Sequence, residues 1–255
     1  MPTPAHTPQH GPHHAPMPPP GPAWPIPTFS VRIEDLAHPG ASLFLGAVQL
    51  LPAMQAVVVA SFENMYTHED VPTHVETILL VLRPMDGVAY TTGTHSAKEI
   101  HFSLDHVVNS NDPADAAKVR KEILGVLTHE VVHCYQYDAK GTAPGGLIEG
   151  VADWVRLCAG LAPRHWTHKP GEKWDAGYAA TAFFLAWLNK RYKADTVRRL
   201  NKALNDRKYD EDRTWKEVTG YSIQTLWGAY CEERGVVSGR ALWDRTVVYV
   251  TANPQ

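Results

Sequence analysis

The chain has 255 residues, 44% of them hydrophobic and 20% charged, which is enough for one compact domain, or two closely packed subdomains, around a sizeable core. Its 24 Lys and Arg against 27 Asp and Glu leave a net charge of −3, a balance that gives no reason to expect nucleic acid or an anionic membrane as partner. The three cysteines, Cys134, Cys158 and Cys231, are odd in number and form no CxxC pair, so they read as reduced thiols in apolar positions rather than a disulfide framework.

Residues 1–28 hold eleven prolines, four histidines and no charged side chain. This composition predicts a disordered tail, partly polyproline II, with the domain proper over 29–255. His6, His10, His13 and His14 are solvated low-complexity residues in this reading. The tail lacks the basic and apolar regions of a signal peptide, so an intracellular protein is the default expectation. From Ala41 to Phe62 there are 22 residues without a charge, long enough to span a bilayer. Gln49, Pro52 and Gln55 interrupt the run, which points to a kinked or broken helix pair in the core and not to a membrane span.

Val75–Arg83 and Gly87–Thr92 are apolar or β-branched runs separated by PMDG, the pattern of a hairpin. In Ile100–Leu104 the apolar positions alternate with His101 and Ser103, as in a half-buried strand. A helix is predicted from just after Asp112, with Pro113 in its first turn and Ala116, Val119, Ile123, Leu127, Val131 and Cys134 as its core stripe.

That helix carries HEVVH at 129–133. The four-residue spacing puts His129 and His133 on one helical face, where both imidazoles can grip one cation. Glu130 lies about 100° around the helix, where a carboxylate can reach metal-bound water as a base. A zinc hydrolase needs three protein ligands and an open position. The run EGVAD supplies two candidates, Glu149 and Asp153, one helical turn apart. Glu149 is read as the third ligand and Asp153 as the acceptor that holds an imidazole N–H, with the reverse assignment as the alternative. The intervening AKGTAPGG is loop chemistry. Cys134 follows a proposed ligand but turns away from the histidine face.

Helical segments follow near Asp175–Tyr192, Asp195–Asn205 and Ile223–Glu233, and no repeat at solenoid spacing is present. The fold class is α+β: a small N-terminal β-sheet, then a mostly helical part, with the metal between them.

The run HEVVHCYQYDAKGTAPGGLIEGVADWVRL, then LAPRHW and KWDAGYAATAFFLAWL, closely resembles the plant basic secretory protein family, zinc metallopeptidases with fungal and bacterial members. ILLVLRPMDGVAYTTG and EIHFSLDHV upstream are similar too, so the resemblance spans roughly 28–240. By its ExxxD helix the site also resembles the gluzincins, the thermolysin-like zinc peptidases. The resemblance implies a zincin-like fold with Zn²⁺ on His129, His133 and Glu149, Glu130 as base, and Asp153 supporting the first histidine. It implies a peptide or protein as substrate. Plant members are basic and secreted, whereas this chain is near neutral, so the extracellular assignment does not carry over.

Attack on a peptide carbonyl creates an oxyanion, and such sites add a donor to stabilise it. Tyr178, in DAGYAATAFF, is the first candidate, supported by a GY in the family at this place; the alternative is a core aromatic. His165, in PRHWTH, is the second. If Ile100–Leu104 is an edge strand beside the metal, an extended peptide could add to it. A monomer is expected. The rival functions are a zinc-binding defence or interaction protein with negligible turnover, a deformylase-type hydrolase, and a structural site closed by Asp153 as fourth ligand. The deformylase reading also needs a ligand cysteine ahead of the helix, and none precedes Cys134.

Overall fold

The structure is a computed structural model and describes residues 23–110 and 115–235. A four-stranded sheet comes first: β1 (Thr28–Ile33), β2 (Thr77–Arg83), β3 (Ala89–Gly93) and β4 (Ala97–Ser103), in spatial order β1-β2-β4-β3. Helices α1 (Pro39–Ala47) and α2 (Leu50–Met65) lie between β1 and β2 in the chain. After β4 every element is helical: α3 (Leu104–Asn109), α4 (Ala116–Tyr135), α5 (Gly145–Cys158), α6 (Tyr178–Arg191), α7 (Thr196–Ala203), α8 (Glu211–Thr219) and α9 (Ile223–Glu233). The α+β organisation therefore matches the pattern read from the sequence. Of the expected tail, residues 1–22 lie outside the described residues. Trp24 already packs on the body, its ring centroid 5.6 Å from Phe62 and 3.7 Å from the His68 imidazole.

The strand order corrects the expected hairpin. β2 pairs in parallel with both β1 and β4, while β3 pairs only with β4, antiparallel. The reason lies in composition: TILLVLR is a nearly continuous apolar run that suits a strand between two parallel neighbours, and Ile78, Leu80, Val81 and Leu82 are all buried. AYTTG is short and polar, and it takes the edge. The hairpin turn thus falls after Gly93, where Thr94 N–H donates to Ala97 O (2.8 Å). Gly93 has φ +120°, and a Cβ there would lie 2.3 Å from Ala97 O. Ile100–Leu104 is accordingly no edge strand: Ile100–Ser103 belong to interior β4, and Leu104 opens α3.

The uncharged run is the expected broken pair, α1 and α2, bent by 68°. Phe44, Val58 and Phe62 are fully buried in the core, and no single helix among the described residues is long and apolar enough to cross a membrane. α4 starts later than expected. The Asp115 carboxylate caps it by accepting from Lys118 N–H (3.0 Å), and Pro113 lies outside the described residues. Its core stripe is Val119, Ile123, Leu127, Val131 and Cys134, whereas Ala116 is exposed at the first turn. Cys158 is likewise exposed, so only Cys134 and Cys231 are buried thiols.

Candidate active site

α4 packs against α5 on one side and β3 on the other, so the site forms between the sheet edge and the helical part. Close approach of α4 and α5 needs small residues. A Cβ on Gly125 would lie 2.5 Å from Arg156 Nε, and one on Gly150 would lie 2.2 Å from Thr181 Cγ2, where α6 presses on α5. Gly146 is as tight, since a Cβ would meet Asp175 O at 1.8 Å. These contacts bring the start of α6 directly over Glu149.

His129 Nε2 and His133 Nε2 lie 3.0 Å apart. Glu149 Oε2 is 3.1 Å from the first, and Glu149 Oε1 is 3.7 Å from the second. A tetrahedral zinc site with ligand distances of about 2.0–2.2 Å has ligand-to-ligand edges of roughly 3.3 Å, so the three groups converge as such a site requires. They are the group among the described residues that could hold a metal ion. Asp153 does not join them. Its Oδ1 lies 2.7 Å from His129 Nδ1, on the far side of the ring, and the carboxylate is buried.

Glu130 faces β3. Thr91 Oγ1 lies 2.7 Å from Glu130 Oε2 and 2.9 Å from the Glu130 carbonyl oxygen, so its one proton is shared between them. Burial raises the Glu130 pKa, and the His129 charge and the Thr91 hydrogen bond only partly oppose it. For His129, burial pulls the pKa down, but the hydrogen bonds to Asp153 and Glu149 outweigh it and leave the group raised to about 9. His133, buried beside that charge, is lowered to about 4. The Glu149 carboxyl is held low, first by its hydrogen bond with His129 and against its partial burial. His129 thus favours its charged form and His133 its neutral one.

A cleft of about 760 Å³ opens over these groups. Val88–Thr91 form one wall, and Val126, Ile148, Arg156 and Trp166 line another part. Tyr178 also lines it and is 61% exposed, which removes the core-aromatic alternative. Its ring lies nearly parallel to that of His129, at 14° and 6.4 Å. The Glu149 charge, and then burial, raise the Tyr178 phenol pKa. α6 begins at Tyr178, three residues later than expected, and the residue holds φ +45°. Gly177 N–H donates to Thr181 Oγ1 (2.9 Å), which donates to Trp174 O (2.9 Å), and these bonds fix the turn. His165 is exposed on its loop and does not line the cleft.

The profile of the family described as "Peptidase of plants and bacteria" (BSP) matches residues 26–230. The chain belongs to this family. The matched span holds the whole sheet, α1–α8, and every side chain of the His-His-Glu cluster. No curated protein matches this BSP chain. A solved structure similar to it is an M1 zinc metallopeptidase from Deinococcus radiodurans, an E323A mutant, at 15% identity and a TM-score of 0.45. The match covers 77% of this chain and 46% of that one, so the chain spans under half the length of that relative.

Two contacts of this site were not read from the sequence. Thr91 touches Glu130 across 39 residues of separation, and no local pattern marks it. Gln136 Nε2 lies 2.9 Å from His133 Nδ1; here the signal was present, because a residue three places after His133 shares its helical face.

Proposed function

We propose that the chain is a zinc-dependent peptidase whose metal ligands are His129, His133 and Glu149. The observation that carries this reading is the convergence of two imidazole Nε2 atoms and one carboxylate within 3.0–3.7 Å of each other, on the floor of an open cleft, in a member of a peptidase family. The donor set is one that zinc accepts, and the cleft side leaves room for a fourth, non-protein position. The ion's contribution is Lewis acidity, which lowers the pKa of water towards neutrality and polarises a scissile carbonyl.

The chain's own groups do the rest. Glu130 accepts the proton of the attacking water, and its burial-raised pKa suits it to return that proton to the leaving amine. Asp153 accepts from His129 Nδ1–H, which commits the Nε2 lone pair to the cleft. Tyr178 presents an exposed phenol at the cleft and donates to the oxyanion.

An extended substrate adds to β3. Thr94 N–H and Ser103 N–H mark the even-numbered residues of β3 and its flanks as the ones bonded to β4, so the main-chain groups of Ala89 and Thr91 point to the free edge. Those residues line the cleft, and Thr91 also contacts Glu130. A peptide paired there runs past the base.

The test is cleavage of a diverse peptide library by the zinc-loaded wild type and by Glu130→Gln, read by mass spectrometry. Cleavage by wild type alone supports the reading. No cleavage by either protein, with zinc bound, moves the function to a zinc-binding interaction or defence protein on a peptidase fold.

A further inference from the structure

We infer that Gln136 is a positioning residue for His133, and that its side-chain carbonyl, turned towards the ring, selects the tautomer with which His133 binds metal. This rests on the zinc-site reading above. Gln136 caps the C-terminus of α4, with its N–H donated to Val132 O, so its side chain starts from a fixed point of the backbone one turn beyond the ligand. Its amide NH₂ lies 2.9 Å from His133 Nδ1, while Oε1 is buried without a hydrogen-bond partner among the described residues.

An imidazole that gives its Nε2 lone pair to a cation carries its proton on Nδ1, and that proton needs an acceptor. An NH₂ group cannot accept it. Rotation of the amide by half a turn exchanges its two nearly isosteric ends. Oε1 then occupies the place beside Nδ1 and accepts its proton, and an unpaired buried oxygen gains a partner. The two ligand histidines are supported in this way by different chemistry: a buried carboxylate behind His129 and a neutral amide behind His133. The neutral partner adds no fourth negative charge beside ligands that already face Glu149, Glu130 and Asp153. In sequence terms the site extends from HExxH to HExxHxxQ.

The experiment is zinc affinity of the full chain, measured by competition with a chromophoric chelator, for wild type, Gln136→Met and Gln136→Glu. Methionine fills the space without an acceptor of comparable strength, and glutamate keeps only acceptors. Gln136→Met should bind zinc about 10- to 100-fold more weakly, as loss of such a ligand support does, and Gln136→Glu should bind at least as tightly as wild type. Unchanged affinity in Gln136→Met, or equal weakening in both variants, overturns the assignment. A long-range ¹H–¹⁵N spectrum of the zinc-loaded wild type reads the proton directly and decides the matter even if a variant fails to fold. A protonated His133 Nδ1 supports the inference, and an unprotonated one overturns it. Wild type that binds no zinc at all removes the metal-site reading together with this one, whereas wild type that binds and a methionine variant that binds equally removes only the role of Gln136.

Discussion

Asp153 Oδ1 lies 2.7 Å from His129 Nδ1, on the side of the ring opposite the Nε2 that faces Glu149 and His133. The two acids of EGVAD, one helical turn apart, thus meet the same imidazole at its two different nitrogens.

This division of labour predicts a ranking. Glu149→Ala removes a proposed ligand and should abolish most zinc binding, whereas Asp153→Asn keeps the shape and should weaken it only about 10- to 100-fold. Calorimetric titration of zinc into both variants checks it. If Asp153→Asn loses more affinity than Glu149→Ala, the roles are exchanged.

Tyr178 separates catalysis from binding. Its phenol lines the cleft but is not within the ligand cluster, so Tyr178→Phe should leave zinc affinity as it is and lower kcat about 100-fold, the usual cost of one oxyanion donor. Steady-state kinetics beside a zinc titration decide it. An unmoved kcat assigns the stabilising donor elsewhere.

What was legible in the sequence was local. His129, Glu130, His133, Glu149 and Asp153 sit on two helices whose faces follow from spacings of three and four, and the broken apolar pair α1–α2 announced itself by its length without charge. Sheet order was not legible, because a strand's neighbour is chosen by partners far along the chain. PMDG marks a turn, but whether β3 lands beside β2 or beyond β4 depends on β4 filling the intervening place. β1 and α8 escaped for a related reason. TFSVRI is mostly exposed, and α8 is a short helix that buries only Thr214, Trp215 and Val218, so neither offers an apolar run long enough to stand out. The sequence pattern runs one helix through Tyr178, because a lone Gly177 fits a helix interior as well as the turn it makes, with φ +88°, before α6 begins.

The corrected strand order changes where substrate binding should be probed. Ala89→Pro removes one N–H on the free edge of β3 while leaving the bonds to β4, so the fold should persist. KM should rise several-fold with a smaller change in kcat. Peptide kinetics and a thermal melt measure the two effects, and an unchanged KM with the fold intact counts against substrate pairing along β3.

An ion pair between buried Arg156 and half-buried Glu122, at the back of the cleft, makes the stability of the fold depend on acid. Arg156 Nη2 lies 2.8 Å from Glu122 Oε2, Arg156 Nε donates to Leu161 O, and the guanidinium sits 5.4 Å from the Trp166 ring centroid. Burial alone would raise the Glu122 pKa, but the His106 hydrogen bond and the Arg156 charge outweigh it and leave the carboxyl below its ordinary value of 4.5. A carboxyl whose folded pKa is depressed stabilises the fold at pH above its unfolded value, and that contribution is lost as pH falls from about 4.5 through the lower folded value. Glu122→Gln should therefore cost about 1–2 kcal/mol at neutral pH, because it leaves the buried Arg156 charged while solvent at the half-buried Glu122 side screens part of the loss. The deficit should shrink as both proteins are taken below pH 4.5, where the wild type loses its carboxylate too. Urea melts of both proteins between pH 7 and 3 measure the difference, and a deficit that stays constant across this range shows that the pair contributes through shape and not through charge.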